Sequence, residues 1–314
     1  MAARNAIPAS LANPPTPRLF APRPAPRRPV ASGAAAWVRA VRIRQWPKNL
    51  VVFGAPAAGG VLLRPGVLGR TGAAALAFCL LSAGTYLLND LHDAPEDRRH
   101  PVKRHRPIAS RAIAPRRALV AALLLIMAGL TLAGALSTEA LALAGSYVVL
   151  NFAYTGWLRR VAIADIVAIA GAFMLRAAAG GVAAGIPISR WFFVVISFSA
   201  LFVAAGKRYS DCLDPAARRS RAVMREYNAE FLQTVIGIAA AVALGAYCLW
   251  AFQGLGRNAL GWREATIIPF TIAVLRYALL VTGGRGGAPE EVLLGDRFIQ
   301  VMGVAWVLTF ALGL

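Results

Sequence analysis

The chain reads as an all-α, polytopic membrane protein of about nine transmembrane helices, and three observations lead there. Hydrophobic residues fill 58% of the 314 positions and charged residues only 15%. With a mean hydropathy of +0.58, this is more apolar sequence than a soluble domain of that size uses. Apolar stretches long enough to cross a hydrocarbon core recur along the chain. The basic residues, finally, concentrate in alternate connections between those stretches.

Taken in order, the stretches fall near 48–64, 71–90, 117–136, 139–158, 162–182, 190–206, 230–252, 265–282 and 294–314. The first is the weakest, because Gly54, Pro56, Gly59 and Gly60 interrupt it. Residues 1–36 are rich in Pro, Ala and Arg, with no continuous apolar core of the signal-peptide kind. They read as a disordered basic amino-terminal tail able to touch anionic lipid, and 37–314 as one integral membrane domain.

A net charge of +20 would suggest a nucleic-acid partner in a soluble protein. Here the positive-inside rule accounts for it, so a membrane and no nucleic acid is implied. With the amino terminus in the cytoplasm, 27 of the 34 Lys and Arg residues fall on that side. They lie in the tail up to Lys48, the 91–117 loop, the 159–160 turn, the 206–225 loop and 284–297. Arg64, Arg70, Arg190, Arg257 and Arg263 fall opposite. The large loops after the second and sixth spans therefore face the cytoplasm, with any site built from them. Cys79, Cys212 and Cys248 are too scattered for a metal site or disulfide framework and read as free thiols.

The second span closes on Asn89-Asp90-Leu91-His92-Asp93-Ala94-Pro95-Glu96-Asp97. Carboxylates three and four apart share one helix face. Acids grouped where a membrane helix meets water are costly unless something positive sits among them. Carboxylate oxygens suit Mg²⁺, which usually arrives with phosphates, and Lys103, Arg104, Arg106 and Arg111 follow at once. Asp90, Asp93 and Asp97 are thus the candidate catalytic and metal-binding residues, with Asn89, Lys103, Arg104 and Arg106 beside them. The plainer reading is a solvated helix end whose acids pair with Arg98 and Arg99. Pro95 predicts a kinked or unwound turn delivering Asp97. His92, His100 and His105 surround the segment, at spacings that match no common metal site.

A second loop, Gly206-Lys207-Arg208-Tyr209-Ser210-Asp211-Cys212-Leu213-Asp214, again joins cations to acids at a span end. Lys207, Arg208 and Asp211 are candidates for a second phosphate group, whereas Arg218, Arg219, Arg221 and Arg225 read as anchoring. Trp46 and Lys48 sit in Arg44-Gln45-Trp46-Pro47-Lys48-Asn49 at the first span, where Trp46 could be an interfacial anchor. Tyr154, Arg159, Arg160 and Asp165 flank the turn between the fourth and fifth spans. Asp165 and Arg176 lie on one helix face roughly 16 Å apart, which points to a polar cavity if Arg176 does not snorkel. Gly180-Gly181 and the many alanines permit close helix packing, within one chain or in a homo-oligomer.

Asn-Asp-x-x-Asp-x-x-x-Asp after the second span resembles the first aspartate-rich motif of the UbiA-type intramembrane prenyltransferase superfamily, over nearly all of 42–314. The resemblance implies a UbiA-like helical bundle and Mg²⁺-dependent transfer from a diphosphate donor. The second loop departs from the superfamily's acidic motif. Together with Arg44-Gln45-Trp46-Pro47-Lys48-Asn49 and Leu175-Arg176-Ala177-Ala178-Ala179-Gly180-Gly181, it is similar to the decaprenyl-phosphate phosphoribosyltransferase branch. That branch implies phosphoribosyl diphosphate (PRPP) as donor and a polyprenyl phosphate as acceptor, supplying the lipid-linked pentose for cell-wall arabinan. On this resemblance Asp90, Asp93 and Asp97 hold Mg²⁺ and Lys48 meets the lipid headgroup. Lys207 and Arg208 hold a phosphate, with Tyr154, Arg159, Asp165, Arg176 and Asp211 in the substrate site. A lipid phosphate is already an anion and needs no general base, and no buried base stands beside the acids. The alternatives are an aromatic prenyltransferase of quinone or haem biosynthesis, and a transporter running through Asp165 and Arg176. No internal repeat supports the transporter.

Overall fold

The computed structural model describes residues 33–215, 218, 222–253 and 261–312. Of the expected tail, 1–32 lie outside the described residues, as do Arg219, Arg221 and Arg257. The described residues begin inside the expected tail boundary. Helix α1 spans Ala34–Ala40 and buries Ala36 and Ala40, small side chains that let it lie close against its neighbours.

A 3₁₀ run, Ile43–Phe53, follows, then a short α2, Gly54–Ala58. The expected first span over 48–64 is therefore not one α-helix. Pro47 and Pro56 each lack the N–H that a continuing helix would use, and Gly59-Gly60 favour a turn. The remaining helices are α3 (Val67–Arg99), α4 (Pro115–Leu136), α5 (Thr138–Gly156), α6 (Ala164–Ala184), α7 (Arg190–Leu213) and α8 (Ala229–Ala251). The chain then continues through α9 (Trp262–Ala265), α10 (Ile267–Leu280), α11 (Pro289–Gly295) and α12 (Arg297–Ala311). No strand occurs among the described residues.

Among the described residues, helices α3, α4, α6, α7 and α8 and the run Trp262–Arg285 are long and apolar enough to cross a membrane, six of the expected nine. Helix α5 has 19 residues, and α12 is a shorter apolar helix of 15. Leu119, Leu123, Leu124 and Met127 of α4 face outward, as expected of a surface solvated by lipid.

Two apolar cores meet at α6. Val52, Phe78, Leu81, Tyr147 and Ala179 join the 3₁₀ run to α3, α5 and α6. Ile166, Phe202, Leu232, Ile236 and Tyr277 join α6 to α7, α8 and α10. Gly180 is what lets the 3₁₀ run cross α6, since a Cβ there would sit 1.7 Å from the Val52 carbonyl oxygen. The Gly180-Gly181 signal thus reports packing within this chain.

Helix boundaries are set by local chemistry. Pro115 opens α4 at a position where its missing N–H costs nothing. Ser137 caps α5 by accepting from Ala140 N at 3.1 Å, so α4 and α5 form a tight antiparallel hairpin. Asn228 caps α8 in the same way through Phe231 N at 2.7 Å.

Candidate active site

The ends of α3, α5 and α7 and the beginnings of α6 and α8 bring most of the candidate residues together at one end of the bundle. Helix α3 is continuous through Pro95 to Arg99, so the turn that delivers Asp97 is not unwound. Pro95 is exposed near the helix end, where losing one backbone bond is tolerated. Asp90, Asp93 and Asp97 therefore project from one continuous face.

Each acid is held by an arginine from elsewhere, not by Arg98 or Arg99. Asp90 Oδ1 accepts from Arg42 Nη2 at 2.6 Å and from Arg106 Nη1 at 3.2 Å. The same Arg106 Nη1 donates to Asp97 Oδ2 at 2.7 Å. Asp90 and Asp97 are 4% and 3% exposed, so these are charge-assisted bonds in a sheltered setting. Arg42 reaches Asp90 from a left-handed backbone position (φ 54), with its guanidinium 4.8 Å from the centre of the Tyr86 ring. Arg106 stands on a connection pinned by buried Ile108, Ala109 and Ile113.

Asp93, on the same face, is held separately from this pair. It takes two nitrogens of Arg159, Nη1 and Nη2, both at 3.0 Å. Partial burial opposes the charge on Arg159, but Asp93 and then Glu96 hold the guanidinium above its ordinary pKa. Among the described residues no three acids, histidines or cysteines converge on one point. In this metal-free arrangement the three aspartates are held as the Asp90–Asp97 pair, bridged by Arg106, and Asp93 on Arg159.

The donor set still fits a hard cation. Arg106 Nη1 already places positive charge between the two carboxylates, and the adjacent Asn89 Oδ1 is buried with no hydrogen-bond partner. Mg²⁺ is characteristically held by one or two carboxylates, with substrate phosphates and water completing its shell. Asp90, Asp97 and Asn89 are residues that could hold it. Of the nearby histidines, His100 Nδ1 accepts from Val102 N and Lys103 N at 3.2 and 3.3 Å, and His105 Nε2 from Arg104 Nε at 3.4 Å.

The second expected loop is not a loop, because Gly206–Leu213 form the last two turns of α7. Arg208 turns inward, 1% exposed. Its Nε donates to Asp165 Oδ2, its Nη1 to Asp211 at 2.8 Å and its Nη2 to the Tyr154 hydroxyl at 2.9 Å. With all three guanidinium nitrogens engaged, Arg208 is a buried tie between α5, α6 and α7. The Tyr227 hydroxyl donates to Asp165 Oδ1 and accepts from Ile163 N at 2.7 Å. Burial and this Asp165 bond push the Tyr227 phenol well above its usual pKa. Ile163 itself has φ 67, an uncommon conformation for a β-branched residue.

Asp165 and Arg176 are held by different partners. Asp165 belongs to the Arg208 cluster, whereas Arg176, 4% exposed, lies deeper among neutral groups. Its Nε donates to Asn49 Oδ1 at 2.7 Å, its Nη1 to Ala172 O at 3.0 Å and its Nη2 to the Tyr147 hydroxyl at 2.8 Å. The guanidinium also lies 4.7 Å from the Tyr147 ring centre, a cation–π contact. Arg176 therefore fastens the 3₁₀ run to α5 and α6. Lys48 is half-buried in that run, Lys103 half-buried in a 3₁₀ turn, and Lys207 half-buried on α7. The three free cysteines are as expected.

Sequence reasoning missed Arg42 and Tyr227, both integral to the site. Arg42 lay beside the Arg-Gln-Trp-Pro-Lys-Asn motif, but no pattern signals a left-handed arginine. Tyr227 follows a stretch read only as basic anchoring.

A helical membrane bundle with an arginine-bound acidic cluster at one end defines the class, and the sequence comparison agrees. The profile of the UbiA prenyltransferase family matches residues 50–300, and the chain belongs to that family. It is 38% identical over 300 residues to a decaprenyl-phosphate phosphoribosyltransferase of Mycolicibacterium smegmatis, covering 91% of this chain and 93% of that protein. A Mycobacterium tuberculosis protein of the same name is 38% identical, covering 90% and 95%. Among solved structures, a UbiA homologue from Archaeoglobus fulgidus bound to GPP and Mg²⁺ superposes with a TM-score of 0.69. Its identity is 17%, and the match covers 88% of this chain and 98% of that one.

Proposed function

We propose that this chain transfers the 5-phosphoribosyl group of PRPP to a polyprenyl phosphate of the decaprenyl type, releasing diphosphate. The observation that carries the reading is the match to decaprenyl-phosphate phosphoribosyltransferases along nearly the whole chain. The site chemistry supports it. Arg42, Arg106 and Arg159 surround three aspartates, a balance suited to a polyanionic substrate accompanied by a cation.

In this reading the diphosphate of PRPP occupies the mouth beside Asp90, Asp97 and Asn89, which would hold Mg²⁺. The ion supplies charge neutralisation for the departing diphosphate. Arg42 and Arg106 exchange part of their carboxylate contacts for phosphate oxygens, and Asp93 keeps Arg159 oriented toward the same space. The bond from the anomeric carbon to the diphosphate oxygen breaks as a lipid-phosphate oxygen bonds to the opposite face of that carbon, inverting it. Fixed guanidinium groups stabilise the leaving charge. The acceptor is already an anion, so no proton has to move. Lys48, on the segment that Arg176 holds down, lies toward the lipid headgroup, and Lys103 and Arg104 add positive charge at the rim. Arg208, Tyr154, Asp165 and Asp211 position the wall through their mutual bonds.

The arginine and lysine distribution supports placing this end, the amino terminus and the basic tail on the cytoplasmic face of the cell membrane, where PRPP is soluble. The product would be the lipid-linked pentose from which cell-wall arabinan is made. The test uses PRPP carrying one isotope in the 5-phosphate and another in the β-phosphate, with protein in lipid nanodiscs. The first label should enter the lipid extract and the second should appear as free diphosphate. Both labels remaining in water would contradict the reading.

A further inference from the structure

The inward turn of Arg208 removes one cation that a substrate with several phosphates would use. The segment Val281-Thr282-Gly283-Gly284-Arg285-Gly286-Gly287 lies at the same end of the bundle. It leaves α10 as a single π-helical turn in which Gly284 has φ 82, a conformation that favours glycine. It packs on the last turns of α7. A Cβ on Gly286 would sit 2.7 Å from Ser210 Oγ and 3.0 Å from Gly206 O. Helix α11, which follows, lies beside the 3₁₀ run that carries Lys48. The glycine segment on α7 and α11 beside that run thus follow one another along this end of the bundle.

Two further features point to a ligand. Ser210 is 8% exposed, and its Oγ has no hydrogen-bond partner, although it lies against the glycine segment. Thr282, Gly283, Gly284, Arg285 and Gly287 are exposed, and nothing lies within 4 Å of where a Cβ on Gly283 or Gly287 would be. An uncovered glycine backbone beside an exposed guanidinium is a surface that an anion can approach closely.

We propose that the Thr282–Gly287 segment, with Arg285 at its tip and Ser210 beneath it, is a cradle for a phosphate monoester at the edge of the charged mouth. The inference rests on the phosphoribosyl-transfer reading, which offers two such groups: the 5-phosphate of the sugar donor and the headgroup of the lipid acceptor. Arg285 supplies the charge, and the Ser210 hydroxyl supplies a donor.

The test is equilibrium binding to the full-length protein in nanodiscs, without turnover. Ribose 5-phosphate and a short-chain polyprenyl phosphate are titrated separately into wild type, Arg285→Ala and Ser210→Ala. Loss of one charge-assisted bond predicts about tenfold weaker binding for Arg285→Ala. Weakening confined to ribose 5-phosphate assigns the cradle to the donor, and weakening confined to the lipid assigns it to the acceptor. Unchanged binding of both, or a wild type that binds neither, overturns it. Wild-type turnover of PRPP is measured in parallel. Turnover with no Arg285 effect on binding sinks the cradle alone. Binding that depends on Arg285 without PRPP turnover sinks the phosphoribosyl reading and leaves the cradle.

Discussion

Arg208, near the end of α7, is fully engaged with Asp165, in the first turn of α6 and 43 residues earlier in the chain. Both side chains are at most 1% exposed. A buried pair of this kind is strongly destabilising when one partner is removed, because the other is left as an uncompensated charge.

Asp165→Asn should therefore lower stability by ~3–5 kcal/mol, read as an earlier unfolding transition in detergent. A direct phosphate role for Arg208 predicts the opposite pattern, with stability unchanged and only the KM for the donor raised.

The divided aspartates give a second expectation. Asp90→Asn and Asp97→Asn should each reduce kcat by about 100-fold or more and shift the Mg²⁺ titration to higher concentration. Asp93→Asn should leave the Mg²⁺ midpoint nearly unchanged, and its effect should be strongly non-additive with Arg159→Ala in a double-mutant cycle. An equal Mg²⁺ shift in all three variants would restore a single three-aspartate site.

Tyr227 makes stability depend on alkaline pH. Its phenol is held protonated in the folded protein, pushed up by burial and by its bond to Asp165. A raised acid of this kind adds stability that is whole below the unfolded value, about pH 10, and is lost as pH climbs toward the folded value. Wild-type Tm should fall from about pH 10 upward. Tyr227→Phe should begin lower and show a shallower decline over the same range. Parallel curves would remove Tyr227 as the cause.

Gly180→Ala tests the crossing of the 3₁₀ run over α6. Its Cβ would meet the Val52 carbonyl oxygen at 1.7 Å, so the run carrying Asn49 and Lys48 must move. Reduced Tm and reduced turnover together are expected. A variant with wild-type stability and activity would show that this crossing is not needed.

What could be read from the sequence was set by periodicity. The shared face of Asp90, Asp93 and Asp97 follows from gaps of three and four on a helix, and the structure keeps that face. Which arginine holds which acid was not legible, because Arg42, Arg106 and Arg159 lie 48, 9 and 66 residues from their partners. Gly206–Leu213 read as a loop because hydropathy falls at Lys207. The helix continues because Arg208 finds Asp165, Asp211 and Tyr154 inside the bundle. Asp165 and Arg176 shared a face in the sequence pattern, yet each is satisfied by its own neighbours. The 48–64 stretch had the composition of a span without the unbroken backbone hydrogen bonding of one.

The most direct measurement compares two donor–acceptor pairs on the purified protein in nanodiscs with Mg²⁺. One tube holds labelled PRPP with decaprenyl phosphate, and the other holds decaprenyl diphosphate with labelled 4-hydroxybenzoate. Label entering the lipid extract in the first tube only, and abolished by EDTA, is the predicted result. Label entering it only in the second would contradict the phosphoribosyl assignment and make the chain an aromatic prenyltransferase.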